Sequence, residues 1–427
     1  MKYSFLLFLF SPFYLLAQKK PLDHSVYDGW QSIGERLISN NGKWVVYSIT
    51  PQEGDADLYI QPTEGNTQKL KIPRGYNAVI TEDNRFVVCK IKPPYKETRE
   101  ARIKKKKPDE FPKDSLAVIA LGTDSIWKWA KIKSFKTPQK APGWIAYHKE
   151  REVAPARAGT APTQKAVDSL KRTIDSLVLL VMEIKNKKAG SGDTVDADEE
   201  PGSAASTSEG SDLVLRNLKN GREQLFKNVA DYYFNTYGQK LLMKITRSAG
   251  DSFSINGMVL YDLINGKKDT IAKGGNDFRN LVLSEDGTKA AFVAERDTSK
   301  ALQKFYQLYV YQQDDDSAQL LLDKKSEGMK LGMTISEHAN LTFSKSGNRL
   351  FFGVAPVPWL KDTSLVDIDL VKLDIWHYND DYLQTQQLFN LQNELKRSYL
   401  SVYDFGAHKM EQLASQEFPT IITTGEG

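Results

Sequence analysis

This sequence contains no Gly-x-Ser-x-Gly, so the strained strand-to-helix elbow that exposes a nucleophilic serine is absent. Its five histidines, His24, His148, His338, His377 and His408, form neither an HExxH pair nor any close-spaced ligand group. Cys89 is the single cysteine, so no internal disulfide can form and a zinc site lacks its usual donors. The thiol sits in an apolar strand pattern and is read as buried and inert. His377, inside Trp376-His377-Tyr378, is read as a packed strand histidine. Gly274-Gly275 reads as a turn pair, and no phosphate-cradling or dinucleotide fingerprint occurs. The expected catalytic, cofactor-binding and metal residues are therefore none.

Charged groups offer binding rather than catalysis. Lys104-Lys105-Lys106-Lys107, with Arg99 and Arg102 before it, is a basic cluster that could meet anionic lipid or a polyanion. Asp109, Glu110 and Asp114 follow at once, with prolines at 108 and 112, and a solvated loop is the expected state. Asp314-Asp315-Asp316 reads as a charged hairpin tip, since no cation-loop spacing follows it. Glu295-Arg296 and Glu327 are visible candidates for gripping a peptide terminus, where the planar guanidinium fork is suited to the task. Each has a structural alternative, and substrate contacts are not assigned from sequence.

The elements that would carry these groups announce themselves by repetition. Ile38-Ser39-Asn40-Asn41-Gly42-Lys43-Trp44 begins a phrase of β-formers, a turn on Gly or Asn, then Lys or Arg and more β-formers. It recurs around Thr81-Glu82-Asp83-Asn84-Arg85, Asn235-Thr236-Tyr237-Gly238, Ser284-Glu285-Asp286-Gly287 and Ser344-Lys345-Ser346-Gly347. Gly or Asn is expected at positive φ in each turn. Strand-and-turn units at a spacing of roughly 40–60 residues predict an all-β fold, a β-propeller of seven- or eight-bladed type. Asn220-Gly221 and Asn265-Gly266 predict two further hairpins. Blades are blurred between about 90 and 212. Ile421-Ile422-Thr423-Thr424-Gly425 starts the phrase again, which makes the chain read as part of something longer, cut mid-blade.

Lys2 followed by the apolar run Phe5 to Leu16 and small Ala17 reads as an export signal over residues 1–17, too short to span a bilayer. Blades are expected over 18–150 and 212–427. Residues 151–211 read as an insertion, a heptad helix over about 160–189 followed by a low-complexity linker. Val167, Leu170, Ile174, Leu177, Val181 and Ile184 form its a/d seam. The stripe lies on the propeller, stays half-exposed, or makes a weak contact with a second chain. A net charge of +4 argues against nucleic acid as partner.

Several segments together resemble a known family. They are the export signal, the repeated turns, Pro112-Lys113-Asp114-Ser115-Leu116, Gly143-Trp144-Ile145-Ala146-Tyr147 and Asp374-Ile375-Trp376-His377-Tyr378-Asn379-Asp380-Asp381-Tyr382. In this order they resemble the N-terminal half of exported prolyl oligopeptidase family serine peptidases of Bacteroidetes type. The resemblance implies a propeller that filters peptides for a C-terminal α/β-hydrolase domain carrying a Ser-Asp-His triad. No catalytic residue carries over to this chain, and no cofactor is expected. The alternative is an exported stand-alone propeller that holds a protein, peptide or glycan.

Overall fold

A computed structural model describes residues 24–65, 69–123, 125–151, 210–247, 255–299, 303–360, 373 and 375–424. The proposed export signal and the heptad seam lie outside the described residues. The chain divides into two compact units, one of residues up to 80 together with 87–128, the other of 81–86 together with 129–427. The expected all-β propeller class is what the structure shows. Its repeating element is an antiparallel meander of four strands.

In the first unit, sheet 1 runs β1 (Gln31–Ile38), β2 (Trp44–Pro51), β3 (Asp57–Pro62) and β4 (Leu70–Pro73). Sheet 2 runs β5 (Gly75–Ile80), β6 (Phe86–Ile91), β7 (Ser115–Ala120) and β8 (Ile126–Ala130). Helix α1 (Tyr95–Ile103) joins β6 to β7. Val46, Leu58 and Ile60 of sheet 1 pack on Val87, Cys89 and Ala117 of sheet 2 in one core. Cys89 is buried as expected, and burial pushes its thiol up to about 12.

In the second unit, β9 (Ile132–Lys136), β10 (Trp144–Lys149), β11 (Ser211–Asn217) and the first half of β12 (Glu223–Phe234) form sheet 3. The second half of β12 continues into sheet 4 with β13 (Lys240–Ile245), β14 (Gly257–Asp262) and β15 (Lys268–Lys273), so seven strands form one ladder. Ser211, placed in the insertion by sequence, already pairs with Val229, because its strand starts there. Sheet 5 comprises β16 (Asp277–Leu283), β17 (Lys289–Glu295), β18 (Gln307–Gln312) and β19 (Gln319–Leu322). Sheet 6 comprises β20 (Met333–Ile335), β21 (Thr342–Phe343), β22 (Arg349–Pro356), β23 (Tyr399–Asp404) and β24 (Lys409–Gln412). Helix α2 (Gln384–Leu395), not foreseen, lies between β22 and β23.

Neighbouring sheets of this unit pack face to face, which buries both faces of a strand. Leu308 and Val310 of β18 join the core shared with sheet 6, while Tyr309 and Tyr311 join the core shared with sheet 4. The Leu-Tyr-Val-Tyr alternation therefore separates two interiors, not an inside from an outside.

The repeated turns are chemically uniform. Gly42, Asn84, Gly238, Gly287 and Gly347 all adopt the expected positive φ, between 55° and 75°. Each turn opens on a buried polar residue, Ser39, Thr81, Asn235, Ser284 or Ser344. Its side-chain oxygen accepts the N–H five residues on: Trp44, Phe86, Lys240, Lys289 and Arg349 respectively. A backbone donor that could not otherwise be reached is thus satisfied inside the turn.

Candidate functional site

Several ionisable groups of the second unit lie where consecutive sheets meet. Lys136 on β9 donates to Asp231 Oδ1 at 3.3 Å and to the Tyr232 carbonyl at 2.7 Å, both on β12. Burial holds the Lys136 ammonium below its ordinary value even with Asp231 opposite. Lys244 on β13 repeats the arrangement toward β16, donating to Asp277 Oδ1 at 2.8 Å and to the Phe278 carbonyl. In both cases the aspartate also accepts the next residue's N–H, from Tyr232 at 2.8 Å and from Phe278 at 2.9 Å.

Asp277 gathers more donors: Arg279 Nε at 2.6 Å and the Tyr306 hydroxyl at 2.8 Å reach its second oxygen. Burial alone would raise its pKa, but the bonds from Lys244 and Arg279 outweigh it and hold the carboxyl below its usual range. Next along the strand, Asn280 sits at a bulge with φ of 53° and donates to the carbonyls of Glu337 and Ala339, at 2.9 and 2.8 Å. In the first unit the Glu35 carboxylate has the converse duty, accepting Ala78 N–H at 2.8 Å. These contacts join sheets, and sequence reading identified none of them.

The residues singled out from sequence do not come together as a site. Glu295 is buried, accepting from Asn276 at 2.6 Å and from Asp297 N–H at 2.6 Å. Arg296 donates to the Lys273 carbonyl at 2.9 Å and lies over the Tyr309 ring. Glu327 is exposed in the turn after β19. Lys104 to Lys107 are exposed after α1, matching the solvated reading. His377 corrects its expectation: it lies exposed outside any strand, stacked on Tyr378. Its neighbours Trp376 and Tyr378 are exposed too, so the aromatic run that imitated a buried strand has no facing sheet. The buried histidine is His148, whose Nε2–H donates to the Val229 carbonyl at 2.7 Å. Burial lowers it to about 4, and the ring stays neutral at physiological pH.

Asp314 to Asp316 do form a hairpin tip, between β18 and β19, and they line a cavity of about 500 Å3. Its other walls include Tyr311 and the ion pairs Lys240–Asp262, at 2.8 Å, and Lys267–Asp269, at 3.1 Å. Carboxylates outnumber ammonium groups on the lining, so the field inside favours a cation. Among the described residues no group of His, Cys, Asp and Glu is placed to hold a metal ion. No helix among them is long and apolar enough to cross a membrane.

No family model and no curated protein matches the chain. Solved structures do. The acylaminoacyl peptidase of Pyrococcus horikoshii aligns at 10% identity and a TM-score of 0.34, over 78% of this chain and 44% of its own. The propeller domain of the Trilobed protease from Pyrococcus furiosus aligns at 10% and 0.35, over 76% and 79%. The tricorn protease aligns at 9% and 0.41, over 94% of this chain and 33% of its own. Peptidases are prominent among the structural neighbours, and a TolB and an oligogalacturonate lyase align as well. The chain spans less than half the length of the acylaminoacyl peptidase it matches. Likenesses this distant carry no argument about activity.

Proposed function

We propose that this chain is the non-catalytic propeller of an exported serine peptidase of the prolyl oligopeptidase family, gating peptide access to an α/β-hydrolase domain. One observation carries the non-catalytic part. Lys136, Asp231, Lys244, Asp277 and His148 are all engaged in holding strands and sheets together. A general base works from a lone pair that faces substrate, whereas the bonds that Lys136, Lys244 and Asp277 make run between strands of neighbouring sheets. The gating and family parts rest on the sequence segments named above, and export rests on Lys2, Phe5 to Leu16 and Ala17.

Two measurements test the reading. Purified chain given a prolyl chromogenic peptide releases no product, and turnover abolished by a Lys244 or His148 substitution would overturn it. The coding sequence past codon 427 continues in frame to Gly-x-Ser-x-Gly with later Asp and His. A stop codon followed by unrelated sequence would remove the peptidase reading. The second reading, a stand-alone binding scaffold, is favoured by the acid-lined cavity at the tip of sheet 5. It requires a cationic peptide to bind there and to lose affinity in the Asp315→Asn variant.

A further inference from the structure

Helix α2 is a structural oddity. It has twelve residues, no side-chain N-cap bond, no acidic residue in its first turn and no buried residue. Isolated helices of this length are marginal in water, so α2 needs a covering surface to persist. Of its four apolar positions, Leu388, Leu391 and Leu395 follow steps of three and four, a short a/d seam, Phe389 lies beside it, and all four are exposed. The polar positions are mainly Gln and Asn, where a solvent-facing helix usually carries charge.

The same chain holds a segment with the matching pattern. Val167, Leu170, Ile174, Leu177, Val181 and Ile184 repeat the three-four spacing, outside the described residues. Charge agrees with this pairing. Residues 380–397 carry Asp380, Asp381 and Glu394 against Lys396 and Arg397, with Glu394 paired to Arg397, whereas 165–188 carry six Lys and Arg against three Asp and Glu. Topology agrees as well. The segment leaves from the connection between β10 and β11, the second and third strands of sheet 3, and α2 occupies the equivalent connection of sheet 6. The stretch from Arg151 to Val167 can extend to about 50 Å, so the tether does not limit the encounter. Tethering also gives the segment an effective concentration of about a millimolar, which favours it over the same seam on a second copy.

We propose that the 167–184 seam docks on the Leu388, Leu391 and Leu395 face of α2 within one chain. The inference is independent of the peptidase reading, since it needs no hydrolase domain. Cysteine pairs test it cleanly because the native Cys89 is buried. Leu391→Cys is combined in turn with Ile174→Cys, Leu177→Cys and Val181→Cys in the full chain, then oxidised. The expected result is a disulfide within a single chain for at least one pair, seen by mass and by non-reducing electrophoresis. Disulfide-linked dimers alone would overturn it in favour of a second copy. No cross-link, while both thiols take up a maleimide, would overturn it outright. Hydrogen exchange gives a second readout. Replacing 155–209 by a short Gly-Ser linker should speed exchange in 384–395 about tenfold. Unchanged exchange there means another surface covers α2, and the proposal fails.

Discussion

Lys244 on β13 binds the Asp277 carboxylate and the carbonyl of the next residue on β16 with one ammonium group, joining sheet 4 to sheet 5. Both side chains are largely shielded, at 13% and 17% exposure, so the pair is neither a surface decoration nor fully dry. Arg279 and Tyr306 complete the shell around the carboxylate.

Lys244→Met should destabilise the second unit by about 2–4 kcal/mol, because Asp277 then keeps its charge with a donor missing. Urea unfolding followed by tryptophan fluorescence checks this. Asp277 is held below its usual pKa by its donors, so its contribution is present above the unfolded value. It is lost as pH falls through the folded one. The Lys244→Met penalty should therefore shrink in acid.

His148 has the opposite chemistry and the same direction. Its folded pKa is lowered to about 4 from 6.5, so the unfolded chain binds the extra proton between those values. Stability is complete above pH 6.5 and should fall by about 3 kcal/mol as pH drops to 4. His148→Phe should flatten that part of the stability curve, as read by melting temperature across the range.

Two glycines in equivalent turns should respond differently to alanine. A Cβ on Gly42 meets nothing within 4 Å, so Gly42→Ala carries only the positive-φ strain, about 1–2 kcal/mol. A Cβ on Gly287 would sit 2.8 Å from Lys240 Cγ, and Lys240 is held by Asp262, so Gly287→Ala should cost about 2–4 kcal/mol. Equal costs in denaturant titrations would contradict this account of how sheet 5 meets sheet 4.

Asn280 combines backbone and side-chain duties. Asn280→Gly keeps the left-handed backbone and loses the bonds to Glu337 and Ala339, an expected loss of about 1–2 kcal/mol. Asn280→Ala loses both and should fall further by about 1 kcal/mol. Circular-dichroism melts of the two variants, side by side, separate the contributions.

What could be read from the sequence was what is local. A turn that needs positive φ selects Gly or Asn whatever surrounds it, and all five repeated turns were found that way. Asn220-Gly221 and Asn265-Gly266 likewise sit at hairpin turns with glycine φ of 72° and 68°. The blur between 90 and 212 has a physical cause. β10 is reached through residues 137–143, which lack the phrase, and β7 is buried on both faces, which erases the period of two. The pair Lys244–Asp277 spans 33 positions and depends on two sheets meeting, so no spacing rule announces it. Asn77, Asn228 and Asn280 look like ordinary strand residues in sequence, yet all adopt positive φ, each where the pairing register shifts at a β-bulge. His377 misled for the reverse reason: an aromatic neighbourhood looks the same whether or not a second sheet arrives to cover it.

That β12 runs from sheet 3 into sheet 4 through a bulge at Asn228 has a mechanical consequence. Because one strand ends sheet 3 and begins sheet 4, neither can slide or peel without dragging the other's register along. Pulling on the chain should release these seven strands in a single rupture event. During synthesis, the founding strand of sheet 4 is laid down, already aligned, by closing the sheet before it.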